Sequence, residues 1–173
     1  VAKMGFPLSI LALFERPARP SARELATSAR RLVVAEAVDN PVNVGSIVRN
    51  AAALGWDGLI LDHTSADPLS RRSLRVAMGT AFSLPHARTQ HLAAELLALS
   101  EFELYALTPD PTARLLDTVQ AGSRAAILVG SERSGLSKEL VDLSIPVCIP
   151  MAAGVDSLNA AAATAVACWA LRA

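Results

Sequence analysis

The stretch Ile145-Pro-Val-Cys-Ile-Pro-Met-Ala-Ala-Gly-Val-Asp-Ser-Leu-Asn159 decides the fold, because it carries an apolar strand into a polar turn at the mouth of an alanine-rich helix. Two earlier stretches read the same way. Asn40-Pro-Val-Asn43-Val-Gly45-Ser-Ile-Val-Arg49 follows the apolar run Leu32 to Val38, and Gly130-Ser-Glu132-Arg-Ser-Gly135 follows the run Ala125 to Val129. Three strand ends opening on Gly, Asn, Ser or Glu point to one ligand crevice, since ligands of open α/β sheets sit beyond the carboxyl ends of the strands.

Working outward, short Val, Ile and Leu runs alternate with helical spacing. The pattern predicts strands at Leu32–Val38, Gly58–Leu61, Phe82–Pro85, Glu103–Leu107, Ala125–Val129 and Pro146–Ile149. It predicts helices at Ala22–Arg31, Val44–Leu54, Ser70–Val76, Leu92–Leu99, Ser137–Leu143 and Leu158–Leu171. The alternation implies an α/β domain with a mostly parallel sheet flanked by helices, and near-continuous apolar strands suit a sheet buried on both faces.

Composition narrows the function. The 173 residues are 52% apolar, enough for one domain with a large core. Sixteen Lys plus Arg balance sixteen Asp plus Glu, which argues against a polybasic nucleic-acid binder. Local basic surface is confined to Arg71, Arg72 and Arg75, with Arg88 as an addition. Cys148 and Cys168 are far apart in apolar surroundings and read as reduced structural thiols of a cytoplasmic protein. The apolar run Phe6 to Phe14 is broken by Pro7 and is shorter than the roughly 20 residues of a membrane helix, so no membrane association is expected. His63, His86 and His91 lack metal-ligand spacing, no metal is expected, and Trp56 and Trp169 read as packing residues.

Each motif admits two readings. Asn43 is either the cap of its helix or a ligand group; Gly45, Arg49, Ala52 and Ala53 form a stripe that a helix, a second chain or a ligand can approach closely. Glu132 is either a charge favoured near a helix start or the holder of an arginine or ligand group. Asp156 or Ser157 can cap the final helix. Asn159, read as just inside that helix, is harder to explain by propensity alone.

In order and spacing the three motifs resemble those of the SpoU (TrmH-type) RNA 2′-O-ribose methyltransferases of the SPOUT superfamily. The match rests on Asn43-Val-Gly45-Ser-Ile-Val-Arg49, Gly130-Ser-Glu132-Arg-Ser-Gly135-Leu, and Ile149-Pro-Met151 with Ser157-Leu158-Asn159, and runs from about Leu32 onward. Asn40 stands where many relatives have Asp, and Ala160 where Val is common. The resemblance implies a C-terminal trefoil knot, a homodimer with sites near the subunit interface, and S-adenosyl-L-methionine (SAM) as methyl donor to a ribose hydroxyl of ribosomal or transfer RNA. It places the cofactor against Leu107, Thr108, Gly130, Ile149, Met151 and Leu158. It makes Arg49, Asn43, Glu132, Ser157 and Asn159 the catalytic set. A guanidinium stays protonated at physiological pH, so Arg49 reads as a phosphate clamp and alkoxide stabiliser, with Glu132 orienting Arg49 or its neighbours. Arg71, Arg72 and Arg75 are the expected RNA contacts. Residues 1–21 read as the tail of an RNA-binding domain plus linker, with the catalytic domain at 22–173. The competing reading is a catalytically silent RNA-binding and dimerisation module on the same fold.

Overall fold

The computed structural model describes residues 15, 16 and 18–173; the apolar run Phe6 to Phe14 lies outside the described residues. Seven strands form one sheet: β1 (Arg31–Ala35), β2 (Gly58–Asp62), β3 (His86–Thr89), β4 (Glu103–Leu107), β5 (Arg114–Leu115), β6 (Ala125–Val129) and β7 (Ile145–Cys148). Every pairing is parallel, in the order β3-β2-β1-β6-β4-β7-β5.

Among the described residues, six α-helices cover the faces. These are α1 (Ala22–Ser28), α2 (Pro41–Ala53), α3 (Arg71–Ala77), α4 (Leu92–Ala98), α5 (Lys138–Asp142) and α6 (Ala160–Ala170). Their starts follow from local chemistry. Ser21, Ser70 and Ser137 accept backbone hydrogen bonds at the starts of α1, α3 and α5, and Asn40 followed by Pro41 opens α2.

The alternation of side chains along each strand divides the core in two. Val33, Ala35, Leu59, Leu61, Ile127 and Val129 face α2, α3 and α6. Leu32, Val34, Ile60, Ala87, Ala126 and Leu128 face α1, α4 and α5. The central strands β1, β2 and β6 are buried at every position, which is why they read as unbroken apolar runs.

One small residue decides how closely α2 and α3 approach. At Gly45 on α2 a Cβ would lie 2.5 Å from the Ser73 carbonyl oxygen of α3. The small stripe is therefore filled, at Gly45, by a helix of the same chain; of its other members, Arg49 and Ala53 are exposed. After β7 the chain returns to place α6 beside α2. The helix is held there by its own carbonyls: Asn50 Nδ2 donates to Ala161 O (3.0 Å), Trp56 Nε1 to Cys168 O (3.0 Å) and Arg31 Nε to Leu171 O (2.7 Å). This path is consistent with the expected C-terminal knot. Cys148 and Cys168 are both free and buried.

Several expectations differ from the structure. The strand expected at Phe82–Pro85 lies at His86–Thr89, because Met78 and Gly79 take left-handed conformations and lead into a 3-10 turn at Thr80–Phe82 that leaves Phe82 75% exposed. The two-residue strand β5 was not anticipated. β1 ends at Ala35, short of Val38, because Ala37 has φ +52° and turns the chain. Trp56 is buried as expected, but Trp169 is 58% exposed, with the Arg172 guanidinium 3.7 Å above its ring.

The left-handed Ala37 is held from below by β2. Ala37 N–H donates to Asp62 Oδ1 (3.0 Å), Val38 N–H to Ser65 Oγ (3.0 Å), and the Ser65 and Thr64 hydroxyls donate to the same carboxylate. Burial raises the Asp62 pKa, but hydrogen bonds from Ser65, Thr64 and Ala37 outweigh it and hold the carboxyl below its ordinary value. A depressed folded pKa contributes stability above the unfolded value of about 3.9, lost as the pH falls through the lower folded value. We predict that Asp62→Asn lowers stability at neutral pH by about 1–3 kcal/mol. Its acid limb should be flatter than that of the parent below about pH 4. Urea titrations across pH check this, and parallel curves for the two proteins would contradict it.

Candidate active site

Strands β1 and β6 are neighbours, with Ala35 beside Val129, yet β1 leads to β2 on one side and β6 to β7 on the other. Their carboxyl ends therefore flank the switch point where open α/β sheets hold ligands. The turn after β1 delivers Asp39, Asn40 and Asn43, and the turn after β6 delivers Gly130 to Gly135. The segment after β7 brings Ile149 to Asn159 to the same rim.

The β6 turn is possible only because position 130 is glycine. A Cβ there would lie 2.2–2.3 Å from the Gly135 carbonyl group and the Leu136 nitrogen, so the turn folds directly back over the strand end. Gly135, at φ +68°, closes the turn by donating to Ser131 O (2.9 Å). Ser137 N–H then donates to Glu36 Oε2 (2.6 Å), tying this turn to the one after β1.

The three turns meet in one hydrogen-bonded node. Asn43 Nδ2 donates to Glu132 Oε1 (2.8 Å), and Asn159 Nδ2 donates both to Glu132 Oε1 (2.5 Å) and to Asn43 Oδ1 (3.1 Å). Asn43 is 5% exposed, so its amide is committed to this contact. Asn159 Oδ1 accepts from Ala161 N–H (2.9 Å) and Ala162 N–H (3.3 Å), so this one amide caps α6 and holds Glu132. The cap is thus Asn159, in place of Asp156 or Ser157, and the cap of α2 is Asn40, in place of Asn43.

Cavities lie on both sides of Glu132. One of about 400 Å³ is lined by Leu107, Thr108, Gly130, Glu132, Ser157 and Leu158, among others. A narrow extension of about 80 Å³ adds Ile149 and Met151. The six residues expected to touch a cofactor therefore converge on one connected rim, together with Ser157. On the opposite side a cavity of about 450 Å³ is lined by residues of the β1 turn, Thr64 and Ser131 to Ser134.

Arg49 stands apart from this cluster. It is exposed, six residues beyond Asn43 and so roughly 9 Å further along α2, and lines neither cavity beside Glu132. Among the described residues Glu132 is held by Asn43 and Asn159, not by Arg49. Arg71, Arg72 and Arg75 are all exposed on α3. Sequence reasoning missed Asp39, Thr64 and Arg133 as cavity residues. Asp39 and Arg133 are adjacent to quoted motif residues, and that adjacency was the available signal. No helix among the described residues is long and apolar enough to cross a membrane.

Residues 30–169 match the SpoU rRNA Methylase family, and the chain belongs to that family. It is 42% identical over 172 residues to a Mycobacterium tuberculosis protein named as an uncharacterized tRNA/rRNA methyltransferase, the match covering 95% of this chain and 60% of that protein. It is 28% identical over 174 residues to the 23S rRNA (guanosine(2553)-2′-O)-methyltransferase RlmP of Bacillus subtilis, covering 99% of this chain and 68% of that one. Among solved structures it resembles the SpoU methyltransferase AviRb of Streptomyces viridochromogenes in complex with AdoMet (TM-score 0.80, 30% identity, 90% of this chain and 62% of that one). The AdoMet-bound rRNA methyltransferase of Sinorhizobium meliloti is similar (TM-score 0.81, 27% identity, 88% and 60%). The chain thus spans about 60% of the length of the mycobacterial relative.

The double role of Asn159 generates a test. Serine caps helices well but is too short to reach Glu132, whereas alanine does neither. Asn159→Ala should therefore be less stable than Asn159→Ser by about 1 kcal/mol. Both variants should lose methyl transfer to a similar extent. Thermal unfolding alongside a methyl-transfer assay measures the two, and full activity in the serine variant would separate the node from catalysis.

Proposed function

We propose that this chain is the catalytic part of a SAM-dependent methyltransferase acting on a ribose 2′-hydroxyl of ribosomal or transfer RNA, working as a homodimer in the cytoplasm. The observation that carries the reading is the Asn43–Glu132–Asn159 node, with a cavity on each side, at the switch point of a SpoU-family fold.

The chain fits the cofactor. Gly130 lines the 400 Å³ cavity, in a turn that its lack of a Cβ lets fold back against Gly135 and Leu136. Leu107, Thr108, Ile149, Met151 and Leu158 offer an apolar slot edged by backbone polar groups. When bound, SAM supplies an electrophilic methyl group on a sulfonium, which leaves as a neutral thioether and needs no acid.

The remaining difficulty is the weakly acidic ribose hydroxyl. Two amides hold Glu132 by Oε1, leaving Oε2 to orient a ribose hydroxyl, while Ser157 at the cavity rim positions the sugar and its phosphate. Arg49, exposed on α2, clamps an RNA phosphate and stabilises the developing alkoxide, with the proton passing to a phosphate oxygen or water. Arg71, Arg72 and Arg75 add phosphate contacts. The B. subtilis relative, whose name specifies a guanosine 2′-O position, supports a ribose target.

The dimer is supported by the outer face of α6, where Val166 is 41% and Trp169 58% exposed. Gly45, filled by α3, gives it no support. A catalytically silent RNA-binding module is the competing reading, and methyl transfer decides between them.

We predict that Arg49→Ala abolishes transfer of labelled methyl to RNA while SAM affinity by titration calorimetry stays unchanged. Full turnover by this variant would remove Arg49 from catalysis. The parent should scatter light as a dimer at micromolar concentration and Trp169→Glu as a monomer; a monomeric parent would refute the assembly.

A further inference from the structure

We infer that the cavity on the β1 side of Glu132 holds the acceptor nucleobase, and that Asp39 reads guanine there through its N1–H and N2–H groups. The inference rests on the methyltransferase reading and extends it to a base preference. The cavity, about 450 Å³, falls within the roughly 300–1,000 Å³ range of small-molecule pockets. Asp39, Asn40 and Thr64 line it from one side, and Glu132, Arg133 and Ser134 from the other. Glu132 to Ser134 also line the cofactor-side cavity, so the two volumes lie on either side of one turn. A ribose placed at Glu132 therefore has its methyl donor on one side and its base on the other.

Most polar groups around this cavity are already engaged. Asn40 Oδ1 accepts from Val42 N–H (3.0 Å), the Thr64 hydroxyl donates to Asp62, and Glu132 Oε1 accepts from Asn43. Asp39 and Arg133 are exposed and, among the described residues, neither side chain makes a hydrogen bond or ion pair. Of these two, Asp39 lines the cavity with a carboxylate, which can only accept, and Arg133 with a guanidinium, which can only donate.

Guanine alone offers two adjacent donors on its Watson–Crick edge. Adenine and cytosine place one donor beside an acceptor, and uracil sets its donor between two carbonyls, which a carboxylate repels. A paired guanine has this edge occupied, so the target nucleotide must be unpaired or flipped out. Asp39 also precedes the cap of α2, where a negative charge favours the helix. That role alone would alter stability and leave base preference untouched.

The test uses the full chain loaded with S-adenosylhomocysteine, titrated with GMP, AMP, CMP and UMP and followed by NMR. GMP should bind at least about tenfold more tightly than UMP. Asp39→Ala should abolish that preference while S-adenosylhomocysteine affinity is retained, and Asp39→Glu should restore part of it. Equal binding of the four nucleotides, no GMP binding at millimolar concentration, or a preference that survives Asp39→Ala would overturn the base pocket and leave the methyltransferase reading standing. A parent chain that binds no S-adenosylhomocysteine would overturn both.

Discussion

The Glu132 carboxylate, held by the amides of Asn43 and Asn159, is the interaction on which the rest of the site depends. Charge-assisted hydrogen bonds of this kind are stronger than neutral ones and demand their geometry, so three turns from distant parts of the chain are brought into register by one oxygen atom. Each donor is fixed independently. Asn43 sits in the first turn of α2 with little freedom, and Asn159 is tied by its own oxygen to the start of α6. The parallel register of β1 and β6 sets the spacing between the turns, and Gly130 permits the fold-back that carries Glu132 into place.

The packing serves this convergence. Gly45 lets α3 press against α2 close to Asn43, and Asp62 holds the turn that leads into α2. Helix α6 has little amphipathic pattern of its own, being largely alanine, so side-chain burial alone would fix its rotation weakly. Donors from Asn50, Trp56 and Arg31 to three of its carbonyls supply the missing specification. Polar contacts to the backbone of one helix thus set where the Asn159 amide stands.

Much of this was legible in the chain. Strand β6 falls on its apolar run, because a strand buried on both faces shows no alternation and stands out by continuity, and β4 coincides with the expected Glu103–Leu107 although its first residue is exposed. The three polar turns were visible for the same reason, as abrupt ends to those runs. The edge strands were not: β3 contains His, Arg and Thr, and β5 has two exposed residues, so neither carries an apolar signature. The cap at Asn159 was misplaced because Asp156 and Ser157 are equally good cap residues, and only the three-dimensional position of Glu132 selects among them. Trp169 was misjudged for a related reason: an aromatic residue announces a large area without naming the partner, just as Gly45 announces a close contact without saying which helix, chain or ligand makes it.

The node joins residues 89 and 116 positions apart, and its last member stands at the start of α6. During synthesis, β1, α2 and the β6 turn can all be in place while Glu132 still lacks one of its donors. A nascent chain therefore has its sheet before it has a finished site, and the node closes only when α6 has left the ribosome and docked. The fold carries its own delay: the node is complete only at the end of folding of this domain.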